Sequence, residues 1–259
     1  MAKSLFRRSS GRAIIGHRGL GSGTRDGFRE NTLPSMLSAI EAGASWIETD
    51  VRRTADNNLV LHHDATIDGK LISDLRSDSS HLRDLERFEA LLEQIPGHIG
   101  LDIEIKPDLV DTTSKVSTTD LTIDALQKSR STHPIVFTSF DVGCLLQARK
   151  RLPEARVGFL TWMGYPIEFA VNTAASIAAD AVCVHVSSLV GLNLSPNRRS
   201  EISRSIAYCK ELNIEIMVWG PKPEHIPELL DLEIDAVCVG HISETLELIR
   251  NHTGARRRP

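Results

Sequence analysis

Short β-branched runs alternate with longer stretches in which apolar residues recur at helical spacing, and the alternation repeats eight times along the chain. The runs at 13–16, 46–51, 100–106, 134–139, 156–162, 181–186, 215–220 and 236–240 predict strands. The stretches near 33–42, 81–95, 118–130, 141–151, 166–178, 198–212, 224–232 and 243–251 predict amphipathic helices. A further short strand is expected at 59–63, and the irregular stretch 64–80 reads as a small loop insertion after the second strand. Eight strands alternating with helices over about 250 residues predict an α/β fold, a closed TIM (β/α)8 barrel in a single domain. Asp180-Ala-Val-Cys-Val184 recurs as Asp235-Ala-Val-Cys-Val239, which marks two equivalent helix-to-strand entries rather than a repeat that sets the architecture. The expected layout is a frayed segment 1–12, a barrel over 13–252 and a basic tail 253–259.

The strands are not uniformly apolar, and a barrel strand needs a reason to carry charge. In Trp46-Ile-Glu-Thr-Asp-Val51, Glu48 and Asp50 are two apart and share a face. In Leu101-Asp-Ile-Glu-Ile-Lys106, Asp102, Glu104 and Lys106 share one face and Leu101, Ile103 and Ile105 the other. The apolar face must meet the helices, so the charged face points into the barrel. Carboxylates gathered there cannot stay unpaired, because burying a lone charge is very costly. One divalent cation held by Glu48, Asp50 and Glu104 resolves the conflict, and either Mg2+ or Ca2+ satisfies an all-oxygen set. The alternative is a structural ion-pair network in which Arg18 and Lys106 neutralise the acids. Asp102 lies one pleat deeper and reads as a satisfied core carboxylate.

Histidines fall at the same rim. Gly16-His17-Arg18-Gly19 closes the first strand, and Leu59-Val-Leu-His-His-Asp64 ends in two histidines that point opposite ways, so one of them faces the site. An imidazole near half-protonation at neutral pH suits general acid or base work. Arg18 supplies a planar fork for phosphate and Lys106 a point charge. A metal, two cations and a histidine pair are what phosphoryl transfer requires, and together they predict a phosphoesterase.

Composition narrows the partners. Thirty basic against 34 acidic residues, a formal charge of −4, argue against a nucleic-acid partner. No apolar stretch reaches transmembrane length, the basic start lacks the apolar core of a secretory signal, and four cysteines show no Cys-x-x-Cys spacing. A reduced, cytoplasmic compartment is expected, with Cys183 and Cys238 as small core residues.

His17-Arg18-Gly19, Glu30-Asn31-Thr32, Glu48-Thr49-Asp50-Val51, His63-Asp64 and Glu104-Ile105-Lys106, in that order, resemble the signature of the glycerophosphodiester phosphodiesterase family. The likeness is dense over 14–106 and thinner beyond, where Thr138-Ser139-Phe140 and Trp219 are similar to later landmarks of the family. The resemblance implies a TIM barrel that uses a divalent cation to hydrolyse glycerophosphodiesters to sn-glycerol 3-phosphate and an alcohol. It implies His17 and His63 as the acid–base pair, Glu48, Asp50 and Glu104 as metal ligands, and Arg18 and Lys106 as phosphate-binding groups. Phe140 and Trp219 would border the substrate pocket. Thr32 is expected to cap the first helix ahead of Pro34. A plain helix start and a site role for Asn31 both stand open.

The chain departs from the family pattern in the long glycine-rich loop at 19–28, in Gly220-Pro-Lys-Pro223, and at Gly240-His241. Those changes touch the alcohol side of the pocket rather than the phosphate chemistry. The rival readings are a lysophospholipase D or sphingomyelinase D-like lipid phosphodiesterase, and an inactive barrel that binds phosphodiesters or metal. Only 5% of residues are aromatic, and no loop reads as presenting a cluster of them, which favours a small deacylated diester over a lipid. Oligomeric state is not legible.

Overall fold

The computed structural model describes residues 4–6, 12–191 and 195–256. Eight parallel strands form its centre: β1 (Ala13–His17), β2 (Trp46–Arg53), β3 (Gly100–Ile105), β4 (Ile135–Ser139), β5 (Val157–Leu160), β6 (Ala181–His185), β7 (Glu215–Trp219) and β8 (Ala236–Val239). Each pairs with the next, and β8 pairs with β1, so the barrel closes. The helices that return the chain are α1 (Leu33–Glu41), α2 (Phe88–Gln94), α3 (Thr118–Ser129), α4 (Val142–Arg151), α5 (Ile167–Ser176), α6 (Pro196–Leu212), α7 (Ile226–Asp231) and α8 (Ile242–Arg256). This is the TIM barrel that the alternation predicts.

Element ends differ from expectation where the backbone finds another partner. β2 runs to Arg53 because Leu59–Leu61 pairs antiparallel with its last three residues. The helix expected from 81 starts only at Phe88, since Val60 bridges Arg87 and the Leu61 amide donates to the Glu86 carbonyl. The insertion at 64–80 contains a tiny hairpin, Thr66–Ile67 against Lys70–Leu71, turning through Asp68-Gly69. Thr32 does not cap α1 with its side chain; its hydroxyl donates to the Arg29 carbonyl at 2.6 Å instead. α8 continues through the first residues of the expected tail to Arg256.

Period-two alternation sorts the strands into two cores. Outward residues such as Ile14, Ile47, Leu101, Ile103, Phe137 and Val182 pack on the helices. Inward residues Ala13, Ile15, Trp46, Val136, Leu160, Ala181, Cys183, Met217, Ala236 and Cys238 fill the barrel. All four cysteines are free and buried. Trp46 needs the room left by Gly100, where a Cβ would lie 2.1 Å from the indole. The recurring Asp-Ala-Val-Cys-Val entries do the same job twice: Asp180 accepts from the Val157 amide at 2.9 Å and Asp235 from the Ile216 amide at 2.8 Å.

Part of the segment expected to fray is docked. Phe6 is fully buried and meets Trp46 edge-on at 5.3 Å between centroids. The Glu215 carboxylate accepts from the Ser4 hydroxyl and from the Leu5 and Phe6 amides at 2.6–2.8 Å. Residues 1–3, 7–11 and 257–259 of the two expected tails lie outside the described residues. Truncating Phe6 to alanine is expected to cost about 3 kcal/mol of unfolding free energy, read as a lower urea midpoint at unchanged m-value. An unmoved midpoint would mean that the plug contributes nothing.

A second stability prediction concerns α3, whose capping box joins Ser117 and Asp120. Burial alone would raise the Asp120 carboxyl, but hydrogen bonds from Ser117, Gln147 and Arg151 outweigh it and hold it down at about 2. A carboxyl depressed on folding stabilises above its unfolded value, near 3.9, and that contribution disappears as pH falls through about 2. The stability gap between wild type and Asp120→Asn should therefore be constant above pH 5 and close as pH drops toward 2. A pH-independent gap would assign the effect to packing.

Candidate functional site

The register of four neighbouring strands gathers the polar residues at the C-terminal mouth of the barrel. His17 on β1 lies beside Glu48 on β2; Glu48 and Asp50 lie beside Asp102 and Glu104 on β3; and Glu104 lies beside Thr138 on β4. All point inward by alternation, and the mouth is the end where TIM barrels place their chemistry. A cavity of about 640 Å3 opens there. His17, Arg18, Glu48, Glu104, Lys106 and His63 line its polar side. Phe140 and Trp219, expected at the pocket, also line it, together with Trp162 and Met163.

Glu48, Asp50 and Glu104 each place a carboxylate oxygen within 4.8 Å of the other two, and all three are buried. Arg18 Nε lies 3.1 Å from Asp50 Oδ2 and Lys106 Nζ 3.2 Å from Asp50 Oδ1, while Lys106 also pairs with Glu104. The Arg18 amide donates to Glu48 Oε2 at 2.9 Å. Both elements of the sequence reading, the acidic cluster and its neutralising cations, therefore coexist. Arg18 has a φ of +49° and Gly19 of +90°, so the chain turns sharply here. A Cβ on Gly19 would meet Ser35 Oγ at 2.4 Å.

The electrostatics of the cluster are uneven. Burial pushes the Glu104 carboxyl up to about 8, helped by Asp50, and pushes Glu48 well above its usual range. Asp50 goes the other way: burial opposes it, but Lys106, Arg18 and the Asn31 amide keep it ionised far below the usual range. Asp102 is raised to about 7 by burial. One of its oxygens accepts from Thr138 Oγ1 at 2.6 Å, and the other has no hydrogen-bond partner, so it is only half satisfied. His17 is lowered to about 4, by burial first and by the Arg18 charge second. Its Nε2 lies 3.9 Å from Glu48 Oε2.

His63 faces the cavity and His62 does not contribute to its lining, as the alternation requires. Asp64 accepts from His63 Nδ1 at 2.7 Å. Arg52 donates to the His63 carbonyl from Nε at 3.0 Å and Nη2 at 2.6 Å, fixing the loop that carries the ring.

The donor set fits a hard divalent cation. Three carboxylates converge, and Asp50 Oδ1 and Glu104 Oε1 are buried without a directed hydrogen bond, held only by ion pairing to Lys106. Oxygen donors of that kind suit Mg2+ or Ca2+.

The residue the sequence left open is a clamp on this cluster. Asn31 is 3% exposed with φ +54°. Its amide donates to Asp50 Oδ2 at 2.8 Å, and its carbonyl accepts from Thr49 Oγ1 at 2.8 Å and the Asp50 amide at 3.3 Å. Its neighbour Glu30 holds Arg18 Nη1 at 3.1 Å and the Gly23 amide at 2.6 Å, which ties the glycine-rich loop to the site. That loop is a short hairpin, Thr24–Arg25 against Phe28–Arg29.

Trp162 is the residue missed. The expectation that no loop presents aromatics is corrected by the wall at the mouth. Phe140 stacks on Trp162 at 4.2 Å and meets Trp219 edge-on at 6.1 Å. Trp162 lies two residues past the inward Leu160, and Trp219 two past the inward Met217, so extending the strand alternation would have placed both rings on one rim.

The fold is a TIM barrel whose mouth gathers a buried carboxylate triad that could hold a metal ion, together with two cations and two histidines. The model of the glycerophosphoryl diester phosphodiesterase family matches residues 17–244, and the chain belongs to that family. It is 22% identical over 259 residues to a glycerophosphodiester phosphodiesterase of Caldanaerobacter subterraneus subsp. tengcongensis, covering 92% of this chain and 97% of that protein. It is 38% identical over 86 residues to a glycerophosphocholine phosphodiesterase of Schizosaccharomyces pombe, a match that takes in 31% of this chain and only 7% of the yeast protein. Among solved structures, a glycerophosphodiester phosphodiesterase from Parabacteroides distasonis superposes with a TM-score of 0.76 at 22% identity, covering 93% of this chain and 98% of the other. An Oleispira antarctica phosphodiesterase, solved with the product sn-glycerol-3-phosphate, gives a TM-score of 0.76 at 20% identity, covering 96% of this chain and 100% of the other. Among the described residues, no helix is long and apolar enough to cross a membrane.

Proposed function

We propose that this protein hydrolyses glycerophosphodiesters to sn-glycerol 3-phosphate and an alcohol, with a divalent cation bound by Glu48, Asp50 and Glu104. The observation that carries the reading is the convergence of these three buried carboxylates with Arg18, Lys106, His17 and His63 on one cavity. Membership of the family and the product named for the Oleispira structure support the same substrate. Glu48, Asp50 and Glu104 would hold the cation, which when bound would supply Lewis-acid neutralisation of the phosphodiester oxygens.

Arg18 and Lys106 hold the phosphate at the cavity's polar side and offset charge that builds up on its oxygens. Glu30 and Asp50 fix the Arg18 fork, so it meets the substrate already oriented. His17 and His63 form the acid–base pair: one takes a proton from the nucleophile and the other delivers one to the leaving alkoxide. Asp64 fixes the His63 ring through Nδ1, which leaves Nε2 for the proton transfer. The nucleophile is either water or the substrate's own neighbouring hydroxyl, the latter passing through a cyclic phosphate. A reduced cytoplasmic compartment is part of the same proposal, supported by four cysteines that are free and buried.

The test is release of glycerol 3-phosphate from glycerophosphocholine and glycerophosphoethanolamine, with excess EDTA and after adding Mg2+ or Ca2+. Release that stops with EDTA and returns with one of the ions is expected. Turnover that survives complete metal removal would sink the carboxylate triad as a metal site. Release from lysophospholipids alone would instead favour the lipid reading, to which the exposed Trp162 and Met163 at the mouth lend weight.

A further inference from the structure

We infer that Ser22, carried by the glycine-rich loop, is a positioning residue for His17, and that the turn after β8 is the seat that holds it there. On the phosphodiesterase reading, on which this assignment rests, His17 is one half of the acid–base pair.

Two stretches that depart from the family pattern, the loop at 19–28 and Gly240-His241, meet in space. Gly21 has a φ of +116° and packs directly on Gly240, where a Cβ would lie 2.8 Å from both Gly21 Cα and the Leu20 carbonyl oxygen. Arg25 also lies against Gly21, and its Nη1 donates to His241 Nε2 at 3.0 Å. The loop is tied down on its own side as well. The Gly21 amide donates to the His17 carbonyl at 2.9 Å and the Leu20 amide to Ser35 Oγ at 2.9 Å. The Gly23 amide donates to Glu30 Oε2 at 2.6 Å, and the Glu30 amide donates back to the Gly23 carbonyl at 2.7 Å. Ser22 is exposed, yet both of its neighbours are fixed. A stretch whose glycines would leave it free as an isolated chain is pinned on either side of one serine.

That serine faces the histidine. Ser22 Oγ lies 3.5 Å from His17 Nδ1, while His17 Nε2 faces Glu48 Oε2 at 3.9 Å. His63 shows the same division, with Nδ1 held by Asp64 at 2.7 Å. A partner at Nδ1 sets the tautomer of an imidazole and leaves Nε2 for chemistry. With the proton on Nδ1 and donated to Ser22 Oγ, His17 Nε2 keeps its lone pair and takes the nucleophile's proton. The imidazolium so formed still donates from Nδ1 to the same hydroxyl. A serine steers the ring without adding charge to the carboxylate cluster beside it. The contact is at the outer limit of a hydrogen bond, and bonds of this kind tighten when substrate closes on the acid–base groups.

Ser22→Ala is expected to lower kcat for glycerophosphocholine by about tenfold and to leave KM within about twofold of wild type. Ser22→Thr, which keeps the hydroxyl, should stay near wild type. Proton–nitrogen correlation NMR with labelled histidine gives a readout independent of turnover, the His17 signals being those lost in His17→Gln. Wild type should show the Nδ1–H tautomer of His17. Ser22→Ala should move it toward the Nε2–H form that neutral imidazole side chains favour in water. Gly240→Ala, which displaces Gly21 without altering the Ser22 side chain, should move the tautomer the same way. Arg25→Ala tests the same seat without a clash, should Gly240→Ala fail to fold.

Full activity in Ser22→Ala, or equal losses in the alanine and threonine variants, would overturn the positioning role. So would a raised KM at unchanged kcat, or a His17 tautomer that Ser22→Ala leaves in place. A tautomer that follows Ser22→Ala but neither Gly240→Ala nor Arg25→Ala would overturn the seat. A wild type that releases glycerol 3-phosphate from no diester would refute the phosphodiesterase reading itself. In that event the tautomer pattern still decides whether Ser22 orients His17.

Discussion

Asp50→Asn is expected to lower kcat/KM by about a thousandfold and to destabilise the protein by about 3 kcal/mol. Both effects follow from one position. Asp50 is fully buried and is the shared partner of Arg18 at 3.1 Å and Lys106 at 3.2 Å. Asparagine preserves the shape and removes the charge, so two largely buried cations lose their common counter-ion. Glu48 and Glu104 do not replace it fully, because burial favours their protonated forms. Calorimetric titration with Mg2+ and Ca2+ should show cation binding weakened in the same variant, and a saturating cation should stabilise wild type more than Asp50→Asn. Asn31→Ala, which leaves the charge but frees the carboxylate to rotate, should cost less, about tenfold in cation affinity. If Asp50→Asn lost stability but kept activity within tenfold of wild type, the cluster would be a structural ion-pair network and nothing more.

The fold was legible because both periodicities are clean. Residues such as Leu101, Ile103 and Ile105 alternate with Asp102, Glu104 and Lys106, and no barrel core could hold that charged face unless it converged on something. The acidic triad was legible for the same reason: two carboxylates at i and i+2 on one strand and a third on the next need only the register of β2 with β3 to meet. Asn31 could not be weighed from sequence, because its importance comes from a left-handed backbone and three hydrogen bonds to a strand about 20 residues away. Thr32 misled because the local preference of threonine for capping was overridden by the Arg29 carbonyl, nearer to its hydroxyl in the turn that delivers Asn31. Phe6 is the clearest failure of local reasoning. A phenylalanine in a basic, serine-rich start looks solvated, and only its edge-on packing against Trp46 in the inner core, with Glu215 gathering the Leu5 and Phe6 amides, gives it a place.

His17→Gln and His63→Gln should each reduce turnover of glycerophosphocholine by about a thousandfold, within the range a positioned acid or base supplies. Glutamine retains a hydrogen-bonding group of similar reach but cannot exchange a proton near neutral pH, so the loss reads proton transfer rather than packing. The two rings sit in different surroundings. His17 is half-buried beside Glu48 and Arg18, on the strand whose neighbour carries the carboxylates, whereas His63 is more open at the rim and held by Asp64. Changing the leaving group separates their roles. A glycerophosphodiester of p-nitrophenol departs without protonation, so the variant that lacks the general acid should regain most of its rate on that substrate. The variant that lacks the general base should stay impaired on both, because activation of the nucleophile is unchanged by the leaving group. The open position of His63, at the mouth where the alcohol must exit, favours it as the acid, and His63→Gln is expected to be the variant rescued. Equal rescue of both variants would show that neither ring acts on the nucleophile alone; rescue of neither would remove the leaving-group proton from the rate-limiting step.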